Sequence, residues 1–283
     1  MSALLLDGKA VAAAVKEEVG AAVADLDYKP GLATVLVGDD PASHTYVRGK
    51  RRDAEQVGIA SIHHELAATV HQDELLALID SLNTDDGIDG ILVQLPLPGD
   101  LNGEVTVERI DPEKDVDGLH PFSLGKLVLG QPGLRPCTPS GVMRILDHYG
   151  IETSGARTVI VGRSFLVGRP LAMIMSERGA DSTVSVAHSR TRDLASVTRE
   201  ADILVAAAGA PGLIGADHVR PGATVIDVGI NRTDDGLVGD VDFDAVVEVA
   251  GAITPVPGGV GPMTRAMLLS NTLSAARSRR GVA

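Results

Sequence analysis

The chain has 283 residues, of which 44% are hydrophobic, and a formal net charge of −13. The length favours two domains, and the acidity argues against a nucleic-acid partner because phosphate contacts need clustered lysine and arginine. The amino-terminal residues do not resemble a signal peptide, no apolar stretch is long enough to span a bilayer, and the single cysteine, Cys137, fits a reducing compartment. We therefore expect a cytoplasmic protein with no membrane partner.

Helical and strand-like patterns alternate through the first half of the chain. Apolar residues recur at helical spacing over residues 7–26, 41–58 and 72–82, and short β-rich runs at 32–37, 59–66 and 90–94 separate these helices. This alternation is typical of a parallel α/β sheet. Residues 102–131 are rich in charges and turn formers, and we expect them to contain the crossing into a second domain.

A second α/β pattern follows. It predicts strands at 158–161, 183–186, 203–207, 224–228 and 252–254, and helices at 139–149, 170–178, 193–200 and 264–279. The fold class predicted is therefore α/β, with two α/β domains.

Lys50 lies on the apolar face of the helix predicted at residues 41–58. Winding the residues at about 100° each places Tyr46, Lys50 and Val57 on one arc. Burial lowers the pKa of an amine, which makes a lysine usable as a base near neutral pH. The alternative is that Lys50 reaches solvent from the edge of the apolar stripe. The arc predicted to face water carries Arg48, Arg51 and Arg52.

Other polar side chains are candidates to act with Lys50. Gln94 ends a predicted strand, which is where α/β sheets place their ligands. Asp115 and Asp117 lie in a turn-like segment, where aspartates either bind ligands or cap backbone groups. We expect no metal site, because His63 and His64 lack the spacing of metal ligands and Cys137 stands alone.

Residues 161–168 join a predicted strand to a predicted helix, where parallel sheets bind dinucleotides. Gly162 suits the tight turn and Gly168 suits close helix packing, while Ser164 replaces the middle glycine of the usual fingerprint. The second strand leads into AHSRT (187–191), which has no acidic residue to hold ribose hydroxyls. With Arg163, these donors favour the 2′-phosphate of NADP. The alternative is an ordinary solvated loop.

Taken together, these motifs resemble the bifunctional methylenetetrahydrofolate dehydrogenase/cyclohydrolase (FolD type) family nearly end to end. The most specific are ILVQLPLP (91–98), DPEKDVDG (111–118) and PVPGGVGPMT (255–264), in this order. The resemblance implies a parallel-sheet catalytic, folate-binding domain at residues 1–138 plus 263–283 and a Rossmann-like NADP-binding domain at 139–262. It also implies a cleft between the domains and a homodimer joined through the NADP-binding domains.

The same resemblance implies an activity. NADP would oxidise 5,10-methylenetetrahydrofolate to 5,10-methenyltetrahydrofolate, and water would open the product to 10-formyltetrahydrofolate. Lys50 would be the catalytic lysine, Gln94 would hold it in position, Tyr46 would stack on the folate ring system, and Asp117 would anchor the pterin. The family often has a second lysine where this chain has Arg52.

Further site residues follow from the resemblance by position. Folate would also contact Val93 and Leu95, and a loop would close over it, formed by Pro257, Gly258, Gly259, Val260 and Gly261. NADP would be held by Gly162, Arg163, Ser164 and Ser189, with Ile230 beside the nicotinamide. Arg48, Arg51 and Arg52 form either a receptor for the polyglutamate tail of folate or a solvated face. Two other functions stay open, a different NADP-linked small-molecule dehydrogenase and a non-catalytic dinucleotide sensor.

Overall fold

The computed structural model of the protein describes residues 3–234 and 236–281. The strands are β1 (Leu4–Leu5), β2 (Gly31–Val37), β3 (Ala60–Leu66), β4 (Gly90–Val93), β5 (Arg157–Val161), β6 (Thr183–Ala187), β7 (Ile203–Ala206), β8 (Thr224–Asp227), β9 (Asn231–Thr233), β10 (Gly236–Val238) and β11 (Ala252–Ile253). The α-helices are α1 (Gly8–Ala24), α2 (Pro41–Gln56), α3 (Gln72–Thr84), α4 (Gly103–Arg109), α5 (Pro121–Val128), α6 (Cys137–His148), α7 (Gly168–Ser176), α8 (Leu194–Thr198), α9 (Phe243–Val246) and α10 (Val260–Arg279). Among the described residues, no helix is both long and apolar enough to cross a membrane.

The chain divides into two compact units. The three-stranded unit comprises Ala13–Cys137 and the chain from Arg265 onward, and the six-stranded unit comprises the chain as far as Ala12 together with Thr138–Thr264. Each unit has its own parallel sheet, and the prediction of two α/β domains is confirmed.

The sheet of the three-stranded unit has the order β3-β2-β4, and its pairings are parallel. The central strand β2 is buried along its whole length, as expected for an apolar run covered on both faces. Helix α3 places Leu75, Ile79 and Leu82 on one buried face because they recur at helical spacing. Each such side chain contributes roughly 1.5–3 kcal/mol of burial free energy, so the core fixes the strand ends that carry site residues.

The sheet of the six-stranded unit has the order β1-β11-β8-β7-β5-β6, with parallel pairings throughout. After β5 the chain forms β6 on one side, and then returns to form β7 on the other side. The order of the strands therefore reverses between β5 and β7. In an open α/β sheet, ligands bind at the carboxyl ends of the two strands that flank this reversal.

The amino-terminal segment differs from the sequence-based domain limits, which put residues 1–138 in the catalytic domain. Leu4 and Leu5 pair in parallel with Ala252 and Ile253, and the chain as far as Ala12 groups with the six-stranded unit. A two-residue strand has no measurable period, and its partner lies at the far end of the sequence, so local patterning cannot detect the pairing. The antiparallel pair of β9 and β10 and the short helices α4 and α5 were not predicted either.

Candidate active site

Helix α2 begins and ends where its sequence predicts. The carboxylate of Asp40 accepts a hydrogen bond from the backbone N–H of Ser43 at 2.8 Å, and Pro41 occupies the first turn. Gly58 follows the end of the helix with a φ of +87°, a conformation that favours glycine. These two ends set the length of α2, and the spacing of its residues sets which of them face the core.

Lys50 is buried, with a relative exposure of 5%. Its Nζ donates a hydrogen bond to Oε1 of Gln94 at 3.0 Å and lies 4.5 Å from the ring centroid of Tyr46. Burial lowers the pKa of the amine below its usual value, and the positive charge of Arg265 lowers it further, whereas the negative charge of Asp117 acts in the opposite direction. The prediction that Lys50 faces the core is confirmed, and the solvent-facing alternative is wrong.

Gln94 comes directly after β4, and its neighbours fix its orientation. Its backbone N–H donates to the carbonyl of Val35 at 2.9 Å, and its Nε2 donates to the carbonyl of Leu95 at 2.7 Å. Because the amide nitrogen is used in this way, the amide oxygen faces Lys50. Val93 is buried and Leu95 is half-buried, and the two residues flank Gln94 along the chain.

The two aspartates of the turn at residues 115–117 have different surroundings. Asp115 is 1% exposed and accepts a hydrogen bond from the backbone N–H of His120 at 2.8 Å. Burial raises its pKa. Asp117 is half-buried, and its charge reaches both Lys50 and Cys137. Asp115 therefore caps the backbone, whereas the side chain of Asp117 interacts with Lys50 and with the thiol of Cys137.

The amide of Asn271 on α10 supports this turn. Its Nδ2 donates to the carbonyls of Val116 and Arg135, each at 2.8 Å. The thiol of Cys137 also donates to the carbonyl of Val116, at 3.2 Å. Helix α10 thus holds the segment that presents Asp117.

An ion-pair cluster that the helical arc did not predict surrounds Asp53, which is 2% exposed. Its Oδ2 lies 3.3 Å from Nε of Arg265, and its Oδ1 lies 3.5 Å from Nζ of Lys16. Arg52 is exposed, as predicted, with its Nη2 3.9 Å from Asp53. Arg51 was expected to face water but is half-buried, and its buried Nε has no acceptor among the described residues. Because Asp53 lies close to the apolar arc, its carboxylate is buried, and the cations that pair with it, Lys16 and Arg265, lie near the core.

In the six-stranded unit, two glycines shape the loop between β5 and α7. A side chain at Gly162, whose φ is +135°, would collide with the carbonyl of Ala207, and one at Gly168 would collide with the carbonyl of Gly162. Only glycine allows these close approaches. The loop lies at the strand-order reversal, because the backbone N–H of Ala207, which follows β7, donates to the carbonyl of Val161 at 2.8 Å.

The donors around this loop fit a phosphorylated nucleotide. Arg163 and Ser164 are exposed, and Ser164 also accepts a hydrogen bond from the backbone N–H of Val167 at 3.2 Å. Val161 pairs with Ala187, so Ser189 follows the neighbouring strand at the same edge of the sheet and is exposed there. This set contains cationic and hydroxyl donors and no carboxylate, which suits a 2′-phosphate.

The segment after β7, which faces the loop after β5, is held by buried aspartates. The sequence analysis did not single out these two residues, Asp227 and Asp240. The carboxylate of Asp240 accepts hydrogen bonds from the backbone N–H groups of Ala208, Gly209 and Ala210, at 2.6, 2.8 and 2.9 Å. Asp227 accepts three further backbone hydrogen bonds, two of them from Asp240 and Val241 at 3.0 Å. Burial, which outweighs these bonds, raises the pKa of Asp227 to about 6.

The structure brings Ile230 close to the loop at residues 257–261. Ile230 is 56% exposed, and its Cδ1 would be in van der Waals contact with a Cβ at Gly261. Within the loop, Pro257 is exposed and Gly261 is half-buried, whereas Gly258, Gly259 and Val260 are buried. The backbone N–H of Lys9 donates to the carbonyl of Gly258 at 3.1 Å. Ile230 and the loop therefore form one group, which belongs to the six-stranded unit.

Family comparisons agree with both groups of residues. The tetrahydrofolate dehydrogenase/cyclohydrolase catalytic domain matches residues 6–117, and the NAD(P)-binding domain of the same family matches residues 136–280. The chain belongs to the tetrahydrofolate dehydrogenase/cyclohydrolase family. The resemblance inferred from the sequence motifs is confirmed.

Members of the tetrahydrofolate dehydrogenase/cyclohydrolase family resemble this chain along its whole length. Bifunctional protein FolD 2 of Frankia alni is 61% identical over 282 residues, which cover 98% of this chain and 97% of the relative. The crystal structure of bifunctional FolD from Campylobacter jejuni has 49% identity and a TM-score of 0.95, covering 98% of this chain and 100% of that one. The Trypanosoma brucei enzyme, complexed with NADP cofactor and inhibitor, has 40% identity and a TM-score of 0.94, covering 99% of each chain.

One further cluster in this family member was not predicted. Asp39, His44 and Glu65 place three ligand-type atoms within 4.8 Å of one another. Spacing along the sequence cannot reveal it, because the three residues come from a loop, a helix and a strand. Exposed acidic groups often lie together without an ion, and we assign no metal to this cluster.

Proposed function

We propose that this chain oxidises 5,10-methylenetetrahydrofolate and hydrolyses the resulting methenyl compound to 10-formyltetrahydrofolate, with Lys50 moving the protons of the hydrolysis. As a tetrahydrofolate dehydrogenase/cyclohydrolase, the protein is an enzyme of one-carbon metabolism with both activities, and NADP is its cofactor. The observation that supports the role of Lys50 is its buried amine, with one N–H directed at Gln94.

The surroundings of Lys50 suit a general base. A neutral amine that donates one N–H to Gln94 keeps its lone pair for another proton, and burial favours this neutral form. Water that attacks the methenyl carbon must lose a proton, which the amine would accept and later return to the opening ring. Such transfers are typically worth about 10²–10⁴-fold in rate. A charged Lys50 would repel the methenyl cation. The neutral form therefore helps the hydrolysis in two ways: it can accept a proton, and it does not repel the substrate.

The loop after β5 supports the nucleotide half of the proposal. When bound, NADP accepts the hydride from the methylene carbon. We propose that the backbone at Gly162 and Gly168 approaches the phosphates, that Arg163, Ser164 and Ser189 hold the phosphorylated ribose, and that Ile230 lies beside the nicotinamide. Asp240 would keep the facing loop rigid through its three backbone hydrogen bonds.

We propose folate contacts at the residues that the family resemblance implies. The half-buried ring of Tyr46 is the surface on which the folate ring system would stack, and Asp117 would bind the pterin nitrogens as a charged acceptor. The remaining contacts proposed are Val93, Leu95, Pro257, Gly258, Gly259, Val260 and Gly261. Asp117 is suited to its role because Asp115, and not Asp117, supplies the carboxylate for the turn's own backbone.

We also propose a cytoplasmic homodimer joined through the six-stranded unit. Within the described chain, β6 is the last strand at one edge of its sheet, and Thr183, Ser185 and Val186 on it are exposed. An exposed edge strand is a ready surface for pairing with another chain. Light scattering on the eluting protein should give the mass of two chains, and a one-chain mass would contradict this proposal.

A two-signal assay tests the function as a whole. Purified protein with NADP and 5,10-methylenetetrahydrofolate should produce NADPH, and methenyltetrahydrofolate added alone should disappear faster than without enzyme. NADPH formation only with other substrates would instead support a different NADP-linked dehydrogenase. Calorimetric binding of NADP without either reaction would support a dinucleotide sensor.

A further inference from the structure

The guanidinium of Arg265, on α10, is seated against the backbone of α2 next to Lys50. A Cβ at Gly49 would collide with Nη1 of Arg265, so the absence of a side chain there creates the seat. Gly49 is buried, and the side chain of Arg265 is only 24% exposed. The charge therefore lies at the residue that precedes Lys50, and solvent screens it only in part.

Asp53 holds Arg265 in this seat. Its carboxylate is one helical turn beyond Gly49, with Oδ2 3.3 Å from Nε of Arg265. Its other oxygen is 3.5 Å from Nζ of Lys16 and 3.9 Å from Nη2 of the exposed Arg52, so the buried carboxylate is shared among three cations. The cluster as a whole is positive, because the cations outnumber the one carboxylate. The ion pair thus fixes Arg265 without cancelling the charge of the cluster.

The charged groups that face Lys50 come from several segments and act in opposite directions. Asp117 attracts a proton to the amine, and Arg265 opposes it. Tyr46 and Gln94 contribute a ring and an amide. The thiol of Cys137 is kept neutral because burial raises its pKa well above the usual value. Arg265 is therefore the cation that opposes Asp117 at the amine.

We propose that Arg265 is a positioning residue for the hydrolysis, which acts through Lys50 by placing a fixed positive charge beside the amine and so favouring its neutral form. This inference rests on the proposed role of Lys50. It explains how a carboxylate for binding the substrate and an uncharged base can occupy one site: burial and the guanidinium both act against the pull of the carboxylate on the proton. Neither residue needs to change place during the reaction.

The test compares Arg265→Gln with Arg265→Lys and Arg52→Gln in the full-length protein. Arg52 is a matched control, because it also lies near Asp53 but is 73% exposed. Two quantities are measured against pH: the cyclohydrolase kcat, and the NMR titration of the isotope-labelled Lys50 side chain, assigned from its loss in Lys50→Ala. We expect Arg265→Gln to move both midpoints up by about one pH unit, about a tenfold loss of neutral amine below the midpoint. Arg265→Lys keeps the positive charge, so both midpoints should stay close to those of the parent. Arg52→Gln should leave both midpoints unchanged.

Each other outcome decides between explanations. A lower melting temperature with unmoved midpoints would make Arg265 merely structural and overturn the inference. A moved NMR midpoint with an unmoved kcat profile would support the influence of Arg265 on the amine and refute the proposed role of Lys50. If Arg265→Gln fails to fold, Arg265→Met removes the same charge and leaves Asp53 its contacts with Lys16 and Arg52. It should shift the midpoints in the same direction, and unmoved midpoints there would equally refute the inference.

Discussion

Gln94 is oriented toward Lys50 by a bond on its far side: Nε2 donates to the carbonyl of Leu95 at 2.7 Å, so Oε1 is left to accept from Nζ at 3.0 Å. This arrangement keeps one N–H of Lys50 occupied and directs the lone pair elsewhere. A neutral acceptor does this without adding a charge. The position therefore calls for an amide rather than a carboxylate.

Replacing Gln94 by glutamate tests this relationship. Gln94→Glu would place a negative charge about 3 Å from the amine and raise the pKa of Lys50, because an opposite charge at that distance favours the protonated form. We expect the cyclohydrolase kcat near neutral pH to fall at least tenfold and its pH profile to move to higher pH. Gln94→Ala should also slow the reaction, but because alanine adds no negative charge, it should not move the pH profile to higher pH as Gln94→Glu does. A Gln94→Glu enzyme as fast as the parent at neutral pH would contradict the neutral-base mechanism.

Lys50→Ala tests the base itself. The cyclohydrolase rate should fall by about 10²–10⁴-fold, the typical contribution of a positioned base, while folate binding stays measurable by calorimetry. The control is Lys29→Ala, which removes an exposed lysine from the same unit and should change neither quantity. Full hydrolysis by Lys50→Ala would remove this residue from the mechanism.

Arg163→Ala tests the phosphate assignment through cofactor preference. The KM for NADP should rise far more than the KM for NAD, because only NADP carries the 2′-phosphate that the guanidinium would pair with. Arg169→Ala, which removes an exposed arginine from the adjoining helix, should leave the ratio of the two values unchanged. An equal rise in both values for Arg163→Ala would show that Arg163 does not recognise this phosphate.

Asp227 should make the stability of the protein depend on pH in an unusual direction. Its pKa is raised from 3.8 to about 6, so the folded protein binds its proton more tightly than the unfolded chain does. Stability from this group is fully present below about pH 4 and is lost as the pH rises through about 6, a loss on the order of 2–3 kcal/mol. The free energy of unfolding of the parent minus that of Asp227→Asn should therefore fall by on the order of 1 kcal/mol between pH 5 and pH 7, because the asparagine does not ionise. Urea unfolding at both pH values measures this difference, and a constant gap would refute it.

Local periodicity predicted helix α2 and placed Lys50 on its apolar face, but it left open whether the amine is buried or reaches solvent. The cap at Asp40, the proline after it and the glycine at the far end set the length, and the spacing of Tyr46 and Lys50 set the face. The turn at Gly162 was also predictable, because a parallel strand followed by glycine and a helix is a local pattern. Such features depend on neighbours along the chain.

The remaining parts of the site depend on contacts that no local pattern records. Arg265 meets Asp53 from a helix near the other end of the sequence, and Asn271 supports the turn at Asp117 in the same way. Asp240 fixes a loop through backbone N–H groups, and a loop sequence of small residues gives no sign of such a bond. The sequence thus points to candidate site residues more readily than to the residues that hold those candidates in place.

The ring beside the amine gives this enzyme an internal optical probe. The chain has no tryptophan and three tyrosines, so its intrinsic ultraviolet emission comes from a small number of phenols, and Tyr46 contacts Lys50 with its ring centroid 4.5 Å from Nζ. Tyr28 lies under Arg280, and the hydroxyl of Tyr149 accepts from the backbone N–H of Asp7, so each phenol has a distinct environment. A folate analogue that stacks on Tyr46 should quench the fluorescence of this one tyrosine among the three. Titrating the analogue while recording tyrosine fluorescence would therefore measure binding at the folate site without an added dye.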